Sequence, residues 1–335
     1  MLFSLKSNKM FFLFILFIST LISISANSWF GCWIGLEINL LSFIPLISNS
    51  KNLLSNEASL KYFLVQSIAS INFLFMILMK LMFFNFLFSN FSLMMNLPLL
   101  MKMGSAPFHF WFPNIVEGLS WINNFILMTW QKISPMILLS YYYNMNFLIL
   151  ILILNSMIGA IGGLNQTSLR KIMAFSSINN LSWMISSLMI SENLWLFYFM
   201  FYSLLISIMC FLFNTFNMFF INQLYILNMN PILKFSFLIN FLSLGGLPPF
   251  IGFFSKWIII NFLMMNNFKI ISFIFIMMSL ITLFYYIRIS FSSLMFNYLK
   301  LKWFKFFLKN KYNNFINVIT MISILGMTLS TLFFL

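Results

Sequence analysis

"MKMGSAPFHFWFP", residues 101–113, puts a lysine, a glycine, two prolines and the chain's single histidine into a stretch that is otherwise apolar enough to cross a membrane. Proline removes a backbone donor and cannot continue an ordinary helix, so the stretch predicts a helix that breaks inside the bilayer beside a charge. The rest of the chain makes lipid the right solvent. Of 335 residues, 62% are hydrophobic and 7% charged, and the mean hydropathy is +1.00. That leaves too little polar surface for a water-soluble domain.

At about 20 apolar residues per crossing, the spans fall near 10–26, 29–49, 57–82, 88–110, 120–142, 146–163, 168–190, 193–220, 232–265, 269–290 and 314–335. The reading is an all-α polytopic membrane protein: one membrane domain over 1–335 with about eleven transmembrane helices. Barrel strands are excluded, because they would alternate over about ten residues, whereas these runs are apolar on all faces. Residues 10–26 follow Lys6 and Lys9 and end in small residues, as a signal peptide does, but the many spans behind them favour a first crossing.

The charges test this threading. It puts Lys6, Lys9, Lys51, Lys61, Arg170, Lys171, Lys234, Arg288, Lys300, Lys302, Lys305, Lys309 and Lys311 on one side, with Lys80 and Lys269 on the other. So strong a bias sets the N-terminus inside and the C-terminus outside. A net charge of +14 therefore reflects topology rather than nucleic acid. The loop 297–314 interleaves lysines with aromatics, which suits a helix on an anionic inner leaflet better than single-strand binding. Heavy use of Phe and Met, with two arginines and no aspartate, fits an AT-rich organelle genome.

Two cysteines, Cys32 and Cys210, sit in separate apolar segments and read as small buried hydrophobes. With one histidine besides, the chain cannot ligate an iron–sulfur cluster or hold haem through two histidines. No cofactor is expected on it.

Lys102 and Lys132 fall near mid-bilayer, Glu37 slightly shallower, and Lys256 beside a second break. A lone ion at such depth costs at least a few kcal/mol, so these residues are expected to face a partner or water. Proton transfer needs groups that change charge, which lysine and glutamate do and Ser or Asn do not. Plainer readings stand beside this one: a static Glu37–lysine pair, or a snorkelling Lys256. Lys61 with Glu57 is either a solvated i, i+4 pair or a proton entry point. Glu192 follows Ser191 at a helix start and reads as capping, and Glu117 as a solvated loop residue. His109 either relays protons or hydrogen-bonds a carbonyl bared by the break. Pro45 is expected to interrupt the helix carrying Glu37, and Pro135 to free the Gln131 carbonyl beside Lys132.

"FLSLGGLPPFIGFFSKW", 241–257, repeats the order Gly246, Pro249, Phe250 seen in Gly104, Pro107, Phe108. Two Gly/Pro-interrupted spans in corresponding positions point to inverted repeats. The expectation is two five-helix inverted repeats, about 10–142 and 146–290, each with one broken helix. A basic inner loop, 291–313, and an extra C-terminal helix, 314–335, follow. Gly31 with Gly35, and Gly159 with Gly163, have the spacing of close helix contacts. The sequon at 165–167 falls on the inside and is discounted.

The stretches "KMGSAPFHFW", "TWQKISP", "GAIGGLNQTSLRKIMAFSSINNLSWM" and "SLGGLPPFIGFFSKW" closely resemble the mitochondrial subunit 2 family of NADH dehydrogenase (NADH:ubiquinone oxidoreductase, complex I), an antiporter-like membrane subunit family. The likeness spans nearly the whole chain. It implies the shorter animal form, lacking three helices of the full-length members, and a core subunit of proton translocation in the mitochondrial inner membrane. The N-terminus would lie in the matrix and the C-terminus in the intermembrane space. By the resemblance, Glu37 and Lys102 are the coupled pair, Lys132 the central lysine and Lys256 the lysine of the second half, with His109 and Lys61 as further candidates. It also puts NADH, FMN, iron–sulfur clusters and ubiquinone on other subunits, and makes membrane lipids and the membrane-arm subunits, siblings included, its partners. A stand-alone cation/proton antiporter on the same scaffold is the alternative, and a structural scaffold without an ion path a third class.

Overall fold

The computed structural model describes residues 7–49, 52–82, 88–226 and 231–295, together with 316, 318, 320–324 and 328. These residues are helical throughout, apart from short turns and one isolated bridge between Ser168 and Phe220. Six helices are long and apolar enough to cross a membrane. The other helices are shorter, interrupted or, like the 22-residue helix Leu169–Ile190, more polar.

Two compact units divide the chain within the eighth helix, at Ile151 and Leu152. The first contains α1 (Ser7–Ser25), α2 (Trp29–Ile47), α3 (Leu53–Met82), α4 (Phe88–Met103), α5 (Trp111–Gly118), α6 (Trp121–Met128) and α7 (Trp130–Tyr141). Helix α8 (Met145–Gly163) carries the boundary. The second contains α9 (Leu169–Ile190), α10 (Glu192–Phe216), α11 (Ile221–Ile226), α12 (Pro231–Gly245), α13 (Ile251–Met265) and α14 (Lys269–Met295).

Glycine sets how closely the helices approach. A Cβ at Gly35 would lie 2.6 Å from the backbone nitrogen of Ser23, so α1 and α2 touch main chain to main chain there. Gly159 meets Asn179 of α9 at 2.5 Å in the same way. Both contacts are what small residues at a helix interface provide.

Helix α9 departs from the pattern. Seventeen of its 22 residues are buried, among them Ser176, Ser177, Asn179, Asn180, Ser182, Ser186 and Ser187. Its polar side chains face protein rather than lipid, and its serine hydroxyls return to carbonyls three residues back, as Ser177 does to Ala174 at 2.7 Å.

Several boundaries differ from expectation. The fourth segment does not stop at 110: it resumes as α5, which holds Glu117 in a helix and not in a loop. Pro45 leaves α2 continuous, because it sits in the last turn, where the Ile44 carbonyl still receives the Ser48 amide at 3.0 Å. Pro135 lies inside a continuous α7, and the interruption of that segment comes earlier, at Thr129. There the hydroxyl bonds the Phe125 carbonyl at 2.7 Å and competes with the helical ladder. Helix α14 extends to Met295, past the expected start of the basic loop at 291. The lysine-rich stretch 297–314, and most of 314–335, lie outside the described residues.

Candidate functional site

Both breaks are built alike. At the first, Gly104 takes φ +72°, a left-handed conformation open to glycine, and ends α4. The Ser105 amide bonds the Leu100 carbonyl at 3.1 Å, and the Gly104 amide bonds that of Met101 at 3.2 Å. This is the Schellman pattern of a helix C-terminus. At the second, Gly246 takes φ +85°. The Leu247 amide reaches the Leu242 carbonyl at 3.2 Å and the Gly246 amide that of Ser243 at 3.1 Å. Each pattern leaves the last carbonyls of its half-helix without a backbone donor.

Those carbonyls find different partners. At the first break the Gln66 side chain, from α3, donates to the Lys102 carbonyl at 3.1 Å. At the second, the Lys256 ammonium, from α13, donates to the carbonyls of Gly245 at 2.9 Å and Leu244 at 3.3 Å. A half-helix C-terminus carries negative potential, so it offsets part of the cost of a buried cation. Lys102 occupies the last turn of α4 and shares this setting.

Lys102, Lys132 and Lys256 are buried, at 7%, 1% and 7% exposure, which removes snorkelling as an account of any of them. Glu37, half-buried on α2, interacts electrostatically with Lys102. Lys61 makes a direct ion pair with Glu57, at 2.5 Å on an outward face of α3. The structure thus pairs Lys61 with its i, i+4 neighbour. Ser191 caps α10 by accepting the Leu194 amide at 3.3 Å, with Glu192 in the first turn, as expected.

Lys132 packs against the Phe112 ring at 5.5 Å. Phe112 also lies against the first break, since a Cβ on Gly104 would meet its ring at 3.0 Å. The ring of α5 therefore links the broken helix to the central lysine. Next to Lys132, Gln131 donates to the Asn39 side chain at 2.7 Å, joining α7 to the helix that carries Glu37. His109 is buried on the break, its ring 4.2 Å from that of Phe110 and in contact with the Pro107 backbone. In the second unit the Trp183 ring faces the Lys256 ammonium at 6.0 Å.

Residues 26–282 match the membrane family described as NADH:quinone oxidoreductase/Mrp antiporter, TM. The chain belongs to this family. Its curated relatives include the NADH-ubiquinone oxidoreductase chain 2 of Anopheles gambiae, 51% identical over 322 residues, covering 94% of this chain and 93% of the relative. The chain of the same name from Aedes aegypti is 51% identical over 339 residues, with 98% of both covered. A chain in the solved respiratory complex I of Thermus thermophilus with bound Aureothin shares the fold, with a TM-score of 0.82 at 19% identity. That match covers 96% of this chain and 78% of that one. In this NADH:quinone oxidoreductase/Mrp antiporter chain, Gln66, which holds the first break, and Phe112 and Trp183, which lie against the lysines, are not singled out from sequence. A glutamine midway along an apolar span, as Gln66 is, was the available signal.

Proposed function

We propose that this chain is a core membrane subunit of respiratory complex I, the NADH:ubiquinone oxidoreductase, in the mitochondrial inner membrane. Its N-terminus would lie in the matrix and its C-terminus in the intermembrane space. The observation that carries the reading is the burial of three lysines in an all-helical bundle whose relatives are named for that enzyme. NADH, FMN, iron–sulfur clusters and ubiquinone belong to partner subunits in this reading, and the sibling antiporter-like subunits are its membrane-arm neighbours. Its inner lysine-rich loop would rest on anionic lipid.

In the mechanism, matrix protons reach Lys132 and pass to Lys256 and outward. The charge state of Glu37 against Lys102 governs the proton affinity of Lys132, because moving one charge in a low-dielectric interior changes the cost of the next. Glu37, Lys102, Lys132 and Lys256 are the residues that carry it, with His109 and Lys61 at the margins. The arrangement is two five-helix inverted repeats, each contributing one broken helix.

Replacing Lys132 by Met keeps length and apolar volume and removes the titratable group. In the assembled complex, proton pumping per NADH is expected to fall at least tenfold while assembly is retained. Assembly with pumping at the wild-type level would overturn the role. Cation exchange by the purified chain in liposomes, without partners, would favour the stand-alone antiporter.

A further inference from the structure

Beside Lys256 lies a cavity with room for about one water molecule. It is lined on the polar side by Lys256, Ser255, Asn180, Tyr198 and Tyr202, with Gly252 packed against the Ser243 carbonyl at its wall. Tyr198 donates its hydroxyl proton to the Asn180 side-chain oxygen at 2.9 Å, and both groups are buried. A phenol whose proton is already committed can only accept on its remaining lone pairs. Ser255 is committed as well, donating to the Gly252 carbonyl at 3.1 Å. The same lysine is held by the Gly245 and Leu244 carbonyls. The flexible end of the chain sits close to Gly246, whose missing Cβ would come within 3.2 Å of the ammonium nitrogen.

We propose that Tyr198 is a positioning residue for Lys256: with its proton fixed on Asn180, its hydroxyl oxygen accepts from the lysine ammonium through one water in this cavity. The lysine then has two alternative anchors, the carbonyl end of α12 and the Tyr198 side. The first grips the charged form; the second gives the leaving proton a water aligned to receive it. The water stays hydrogen-bonded to Lys256 in its charged and its neutral form, and the phenol keeps its own proton throughout. The titratable groups that share this core are Tyr202 of α10, bonded to Ser177 of α9, and Tyr285 and Tyr286 of α14, with Cys210 deeper on α10. Helices α9 and α12 bring their charges, Arg170, Lys171 and Lys234, only near their ends, so Tyr198 and Tyr202 are the titratable groups that face Lys256 across the cavity.

The inference rests on the proposed function, and the test separates the two. Tyr198→Phe keeps the ring and removes the acceptor. In the assembled complex, pumping per NADH is expected to fall about three- to tenfold and its pH profile to shift, with electron transfer in uncoupled membranes unchanged. Asn180→Leu, which frees the phenol proton to point into the cavity, should give the same shift without touching Tyr198. Wild-type pumping and an unshifted profile in both variants would overturn the inference. If Lys256→Met also pumps normally, the proposed function fails with it; if Lys256→Met is inactive, only the Tyr198 assignment falls.

Discussion

The two broken helices share a backbone and differ in who closes it. Both end in a left-handed glycine within a Schellman pattern, so the main chain solves each interruption in the same way. The first break is closed by an uncharged donor from a neighbouring helix, Gln66, which leaves the Lys102 side chain to answer Glu37. The second is closed by its own lysine, reaching back from α13. Closure and charge are thus separate residues in the first unit and a single residue in the second. A change of protonation at Lys256 alters the grip on the break itself, whereas one at Lys102 leaves the Gln66 bond in place.

The sharpest way to break this comparison is Lys256→Leu, which removes charge and closure together. Proton pumping in the assembled complex should fall more than tenfold, and Lys256→Arg, which keeps charge and closure but does not release its proton, should restore stability and not pumping. Thermal stability should change less than the loss of two hydrogen bonds implies, because a buried cation leaves with them. An unchanged pumping ratio would dissolve the contrast between the breaks.

The paired glycines give a smaller and more discriminating effect. An alanine in the left-handed region costs about 1–2 kcal/mol at either site, but the neighbours differ. At Gly104 the new methyl meets the packed Phe112 ring, and at Gly246 the movable end of Lys256. Gly104→Ala is therefore expected to lower the melting temperature of the complex more, and Gly246→Ala to reduce pumping more for a given loss of stability. The reverse ranking would show that the lysine does not depend on the space beside Gly246.

The smallest effect on pumping is expected at Gln66. Gln66→Leu leaves the Lys102 carbonyl without its side-chain donor, a loss of about 1–3 kcal/mol. It should be read as earlier unfolding or faster proteolysis, with pumping reduced by no more than a few-fold.

Much of this was legible in the chain itself. Apolar runs located the membrane helices, and Gly104 with Pro107 and Gly246 with Pro249 located both breaks, because glycine and proline act on the backbone wherever they stand. Lys102, Lys132 and Lys256 declared themselves by being charged among apolar neighbours. The closures were not legible: Gln66 is 36 positions from the carbonyl it serves, and nothing in local spacing ties them. Pro45 misled for a related reason. One proline removes one ladder bond, and whether a helix stops there depends on the bonds around it, as Thr129 shows by interrupting where no proline stands. The cavity at Lys256 draws its lining from four helices, α9, α10, α12 and α13, which no local spacing ties together.

Helix α9 carries a last consequence, for how the protein is made. Its serines and asparagines keep it out of the six helices apolar enough to cross a membrane by composition, although it is 22 residues long. Such a segment gains little by partitioning into lipid alone, so its residence there depends on company. Helix α10, joined to it through the single residue Ser191 and itself strongly apolar, is the nearest escort. Biogenesis of the second unit therefore calls for α9 and α10 to enter as a hairpin, the polar helix carried by its greasy neighbour until the bundle closes around it.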